Sequence, residues 1–138
     1  MTYEFLEHTA DVKFKANGNS INEVFEEVGK ALIETINAGV YIKGKIVKQI
    51  SIKGESLENL LYNFLEEFLF LLDAEGFVTI SIKTIEVDID NFSLIAELVG
   101  DSVYNYDNFS NEVKAITYSD MSIKNIGNVW EVVGVFDV

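Results

Sequence analysis

Carboxylates are the groups from which this chain can build chemistry. Its single histidine, His8, stands in Glu7-His8-Thr9-Ala10-Asp11-Val12, where two acids, an imidazole and a hydroxyl fall within five residues. A histidine just before a strand serves either as a hydrogen-bonded structural residue or as an acid–base group, and position alone does not separate the two. At the far end, Asp137 follows Val133 and Val135 on one face of an apolar run. A carboxylate at the rim of a buried strand costs desolvation unless it finds a donor or a cation, which Lys114 or a bound metal would supply; a frayed, solvated end would avoid that cost. Glu112 and Lys114 share a face of an expected strand, where an ordinary surface salt bridge is the plain reading. Asp73 and Glu75 fall at a helix C-terminus, the unfavourable end of the dipole for an acid, which hints at a cation nearby, although a plain helix exit is the better reading. Cysteine is absent, and so are a histidine pair, a phosphate-binding glycine loop and a nucleophile elbow. Thiol chemistry, thiolate zinc sites and conventional nucleophilic hydrolysis therefore lack their parts. A carboxylate site for a hard divalent cation is the chemistry this composition best allows.

Charge narrows the partners. With 23 acids against 10 basic residues, the net charge is −13. Counterion release from nucleic-acid phosphates needs clustered cations, so direct, tight nucleic-acid binding is not expected; a divalent cation or a basic protein suits the chain better. No run of apolar residues is long enough to span a bilayer, and the first residues lack the pattern of a signal peptide. A soluble, cytoplasmic protein of one domain (1–138) with its own core is the expectation.

The elements that must position these groups follow from periodicity. From Asp11 onward Val12, Phe14 and Ala16 alternate with Lys13 and Lys15, a half-buried strand ending at Asn17-Gly18. Ser20 and Glu23 form a capping box, after which Val24, Phe25, Val28, Leu32 and Ile36 repeat at helical spacing towards a stop at Gly39. Lys45 to Lys53 alternates as a strand. A second helix begins near Ser56, and its wide apolar face, extended by Tyr62, Leu69 and Phe70, predicts burial on more than one side before Gly76 ends it. Phe77 to Ile89 alternates with a slip of phase, which places a bulge near Lys83-Thr84. Asp90-Asn91 turns the chain into Phe92 to Leu98; strands follow at Glu112 to Tyr118 and Met121 to Ile126. Gly127-Asn128 leads into Val129 to Val138, apolar on both faces as an interior strand should be. The fold class is α+β: two helices packed on one face of a largely antiparallel β-sheet, a two-layer domain.

Five stretches, in order along nearly the whole chain, resemble the archease family: Tyr3 to Val12, Glu55 to Glu67, Phe70 to Gly76, Glu112 to Tyr118 and Phe136-Asp137-Val138. The resemblance implies an accessory protein rather than an enzyme. Archeases assist the RtcB-type tRNA-splicing ligase, which joins RNA ends using GTP and a divalent metal, by promoting guanylylation of the ligase's active-site histidine and sustaining turnover. The matching positions imply a divalent-cation site (calcium or magnesium) at Asp11 and Asp137, completed by Val138 through its backbone or a terminal carboxylate. They also imply partner-binding or activation roles for His8, Lys114 and Glu112, with His8 chiefly supporting its own turn. Lys13 departs from the family, which has a small residue there. Nucleic acid would be reached only through the ligase, and no membrane is involved. The alternative is a general chaperone-like modulator of RNA-processing or RNA-modifying proteins with no metal role. The cation reading carries a geometric expectation: the two carboxylates lie within one ion's reach, roughly 4–6 Å apart.

Overall fold

The computed structural model describes residues 1–7, 11–107 and 109–138. Eight strands and two helices run in the order β1 (Thr2–Leu6), β2 (Val12–Gly18), α1 (Ile21–Asn37), β3 (Ile46–Lys53), α2 (Leu57–Glu75), β4 (Phe77–Asp88), β5 (Ser93–Ser102), β6 (Ala115–Ile116), β7 (Ser122–Ile126) and β8 (Val129–Asp137). The class is α+β, as expected, with every described pairing antiparallel. The strands, however, divide into two sheets instead of forming one. The first has the order β1-β2-β8-β6, with β7 also pairing β8; the second is β3-β5-β4. Each helix touches both sheets, α1 against β2, β8 and β4, and α2 against β3, β4 and β6. Both helices therefore bury residues on more than one side, including Val24, Phe25, Val28 and Leu32 of α1 and Leu60, Phe64, Leu65 and Phe68 of α2. Alternation in a strand reports that one face is buried, not which layer covers it, so the second sheet was beyond the sequence pattern.

Local chemistry starts and stops the helices. Ser20 Oγ accepts from the Glu23 N–H at 3.1 Å, and Glu23 Oε2 accepts from the Asn19 N–H at 2.6 Å, the reciprocal arrangement of a capping box. At α2, Ser56 Oγ accepts from the Asn59 N–H at 3.0 Å while Asn59 Oδ1 accepts from the Glu55 N–H at 3.0 Å. Gly76 closes α2 in the left-handed region, φ 63°, with its N–H directed at the carbonyls of Leu71 and Leu72. For α1 the cap is Ala38, φ 46°, one residue before the expected Gly39.

β8 is interior, flanked by β2 on one side and by β6 and β7 on the other. Its Phe136 stacks on Phe14 with ring centroids 4.7 Å apart, and Gly134, opposite Phe14 in the register, leaves room for that ring. β4 carries the expected register shift between Ile82 and Thr84 and a second between Thr79 and Ser81. The expected strand from Glu112 to Tyr118 shrinks to Ala115–Ile116, because β8 offers it only two register pairs before β7 takes over the edge. Phe92 lies in the β4–β5 turn with φ 48°, not in β5. Phe70 is 56% exposed, against the expectation of burial; Leu69 is buried, and Tyr62 stacks on Tyr118 at 4.4 Å.

Candidate functional site

The β2–β8 register decides where the two acids from opposite chain ends fall. Paired residues run from Gly18↔Trp130 to Val12↔Phe136; Asp11 precedes Val12 and Asp137 follows Phe136, each one residue beyond the last pair. Val12, Phe14, Val132 and Phe136 pack on the core, so alternation turns Lys13 and Asp137 to the outer face of the sheet. Directly opposed residues have Cα atoms about 4.5–5.5 Å apart. The row continues to Ala115, which pairs Asp137 from the other side. Asp137 is exposed and Asp11 half-buried.

Two like charges opposite one another destabilise a strand pair. At about 5 Å the repulsion is on the order of 1 kcal/mol in a water-like medium and rises in a less polar one. Lys13, on the same face and opposite Val135, is the nearest positive charge in the sequence of β2; its ammonium reaches Asp120 Oδ2 at 3.6 Å. Asp120 sits in the β6–β7 turn with φ 57°. It joins this face through tertiary folding, and the Ser119-Asp120 pair signals only a turn.

The other residues named by the resemblance are placed as follows where they are described. Val138 packs its side chain against the core, so only its main-chain oxygens are positioned to contribute at the strand end. Lys114 donates its backbone N–H to the Asp137 carbonyl at 2.7 Å, but its side chain lines a groove beside α2. The strand that would have put Glu112 and Lys114 on one face begins only at Ala115; Glu112 is exposed and accepts from Ser110 Oγ at 3.2 Å. His8 lies outside the described residues. Near the α2 C-terminus the Lys48 ammonium meets Glu75 Oε1 at 2.7 Å.

As donors, two carboxylates offer hard oxygen ligands of the type calcium and magnesium take, and an open face leaves the remaining positions to water or to a partner. Among the described residues no group of three or more His, Cys, Asp or Glu side chains converges on one point. A cation here would be held by a side-chain pair plus main-chain oxygen, not by a closed protein cage.

The Archease protein family (MTH1598/TM1083) model matches residues 3–138. The chain belongs to the archease family. It is 39% identical to the archease of Pyrococcus abyssi over 129 residues, covering 90% of this chain and 89% of that one. With the archease of Methanosarcina acetivorans the identity is 31% over 139 residues, covering 99% and 95%. An archease-like protein of Drosophila melanogaster is 36% identical over 125 residues, covering 89% and 80%. The solution structure of Methanobacterium thermoautotrophicum protein 1598 shares the fold with a TM-score of 0.77 at 26% identity, covering 99% of this chain and 98% of that one. A Thermotoga maritima crystal structure, described as an archease and possible chaperone, shares the fold with a TM-score of 0.66 at 24% identity, covering 96% and 94%. This archease chain thus has the family's sheet pair and helices, and Lys13 stands on the outer face beside the acid row. No helix among the described residues is long and apolar enough to cross a membrane.

Proposed function

We propose that this archease family member acts as a non-enzymatic activator of an RtcB-type tRNA-splicing ligase, promoting its guanylylation and repeated turnover. Asp11 and Asp137 hold a divalent cation, calcium or magnesium, at the shared end of β2 and β8. The observation that supports this reading is the register, in which Val12 pairs with Phe136, the residues next to Asp11 and Asp137. Bound there, the cation would supply positive charge and open coordination positions for phosphate or carboxylate oxygens at the ligase surface. The chain's own residues do the holding. Asp11 and Asp137 present the oxygens, the Phe14–Phe136 stack fixes the strands that carry them, and Lys13 limits the net negative charge of the face. The acidity of the chain favours approach to a basic RNA-binding enzyme.

The second reading, a chaperone-like modulator with no metal role, draws on exposed apolar side chains such as Phe5, Phe70 and Ile95. It predicts suppression of aggregation of unrelated clients and indifference to chelators. Purified ligase, GTP and this protein, assayed for ligase guanylylation with wild type, Asp11→Ala and Asp137→Ala, separate the two. The activator reading expects each variant to lose most of the stimulation while keeping its thermal midpoint. Full stimulation by both folded variants would remove the carboxylates from the function.

A further inference from the structure

A second surface lies apart from the acid row, where α2 runs beside the outer strand of the smaller sheet. β3 pairs with β5 alone among the described residues, so its other edge is open. Gly54 donates its N–H to the Phe92 carbonyl at 2.8 Å, which directs Gly54 towards β5. Alternation in an antiparallel pair then directs Ile52, Ile50 and Lys48 the same way and turns the N–H and C=O of Lys53, Ser51, Gln49 and Val47 outward. Asn63 Nδ2 donates to the Lys53 carbonyl at 2.9 Å, as that phase requires.

The helix is tethered to this edge at two points. Asn63 meets Lys53, and Glu75 meets Lys48. Twelve helical residues span about 18 Å and five strand residues about 17 Å, so α2 and β3 run side by side in opposite directions. Between the tethers lies a groove of about 610 Å³ whose lining includes Ser51, Ile52 and Lys53 from β3, Glu66, Glu67, Phe70 and Asp73 from α2, and Lys114. Helix α2 carries five acids and no basic residue. Burial, and then the neighbouring Glu75, push the Glu67 carboxyl above its ordinary range; Glu66, Glu67 and Asp73 outnumber the two lysines, Lys53 and Lys114, that line the groove. Phe70, 56% exposed, gives an apolar surface beside those acids. An open sheet edge with such a groove along it is the arrangement to which extended peptides add as a further strand.

We propose that this groove receives an extended, Lys/Arg-bearing segment of a partner protein, added as a strand to the β3 edge. The backbone of the segment pairs with Ser51, Gln49 and Val47. Because side chains alternate along a strand, every second one turns towards α2, where an aliphatic stem lies on Phe70 and a cationic head meets Glu66, Glu67 or Asp73. The intervening side chains lie on the outer face of the smaller sheet, which Gln49 and Ser51 share with Ile95 and Glu97 of the neighbouring strand. A second copy of this chain is disfavoured as occupant by its net charge of −13. The inference does not depend on the cation reading of Asp11 and Asp137.

The probes are two short synthetic peptides, one alternating lysine with valine and one alternating glutamate with valine. They are titrated into the 15N-labelled protein at physiological salt. The lysine peptide is expected to shift the amide resonances of Val47, Gln49 and Ser51, to slow exchange of those three amide protons, and to bind at least about tenfold tighter than its glutamate counterpart. Glu66→Lys with Glu67→Lys, which leaves the core untouched, is expected to weaken it by about tenfold or more, and Ser51→Pro to abolish the slowed exchange. Equal affinity for the two peptides overturns the proposal. So do shifts spread over the acidic surface with no protection at Ser51 and Gln49. Protection that appears with protein concentration alone, together with a dimer in sedimentation, would also overturn it by naming a second copy as the occupant.

Discussion

Replacing Gly134 by alanine tests the packing that holds the two acid-bearing strands together. A Cβ at position 134 would lie 2.7 Å from Phe14 Cζ and 2.9 Å from Phe14 Cε1. The ring cannot simply turn aside: Phe14 is 2% exposed and stacked on Phe136, itself fully buried. Relief must come from an off-rotamer Phe14 or from separation of β2 and β8, so the cost falls in the overpacking range, about 1–3 kcal/mol. For a chain of this size that corresponds to a thermal midpoint lower by roughly 3–15 °C. Urea titration followed by tryptophan fluorescence reads the change, since Trp130 lies on β8. In a Phe14→Leu background, where the smaller side chain frees space, the alanine should cost at least about 1 kcal/mol less. A Gly134→Ala protein within roughly 0.5 kcal/mol of wild type, or strictly additive substitutions, would refute this account of the β2–β8 interface.

Three further outcomes follow from particular contacts. The Glu67 carboxyl, raised by burial and then by Glu75, binds its proton more tightly in the folded chain than in the unfolded one, so its contribution falls as pH rises from the ordinary value of 4.5 through the folded value. Side-chain 13C titration should place Glu67 above 4.5, and Glu67→Gln should raise the urea midpoint at neutral pH. Asp88 is lowered by the Asn91 side-chain amide and then by the Asn91 backbone N–H, and Asp101 by the Tyr106 hydroxyl and the Ser102 N–H; the stability they give is present above about 3.8 and lost as pH falls through their lower folded values. Asn91→Ala and Tyr106→Phe should therefore flatten the acid limb of the stability profile between about pH 4 and pH 2, measured by urea midpoint. Ser56→Ala removes the acceptor that holds the Asn59 N–H and should cost about 1 kcal/mol by the same titration.

What the sequence made legible was local. The capping residues Ser20 and Ser56, the left-handed stop at Gly76 and the phase slip near Lys83 each leave a signature within a few residues, and each appears in the structure. The interior character of β8 showed as an apolar run on both faces. Where tertiary pairing decides, periodicity gave less. Nothing in the alternation of β3, β4 and β5 announces that they leave the other strands to form their own sheet. The strand pattern through Glu112 and Lys114 is real as a pattern, but β8 pairs only Ala115 and Ile116. Phe70 fits the apolar face of α2 by spacing, yet α2 contacts both sheets and leaves Phe70 exposed. Asp120 reaches Lys13 through a turn remote in sequence, so no window containing either residue could show the contact. The pairing of Asp11 with Asp137 was an implication of family resemblance alone; periodicity placed neither acid opposite the other, and the described register ends at Val12 and Phe136.

The most direct measurement is a calorimetric titration of calcium, and separately magnesium, into wild type, Asp11→Asn and Asp137→Asn. Each substitution keeps the side-chain volume and removes one ligand charge. If the two acids share a cation as proposed, wild type shows a single site that either substitution weakens by about tenfold or more, since each would supply half of the side-chain ligation. Unchanged binding in both folded variants, or no binding by wild type, would contradict it.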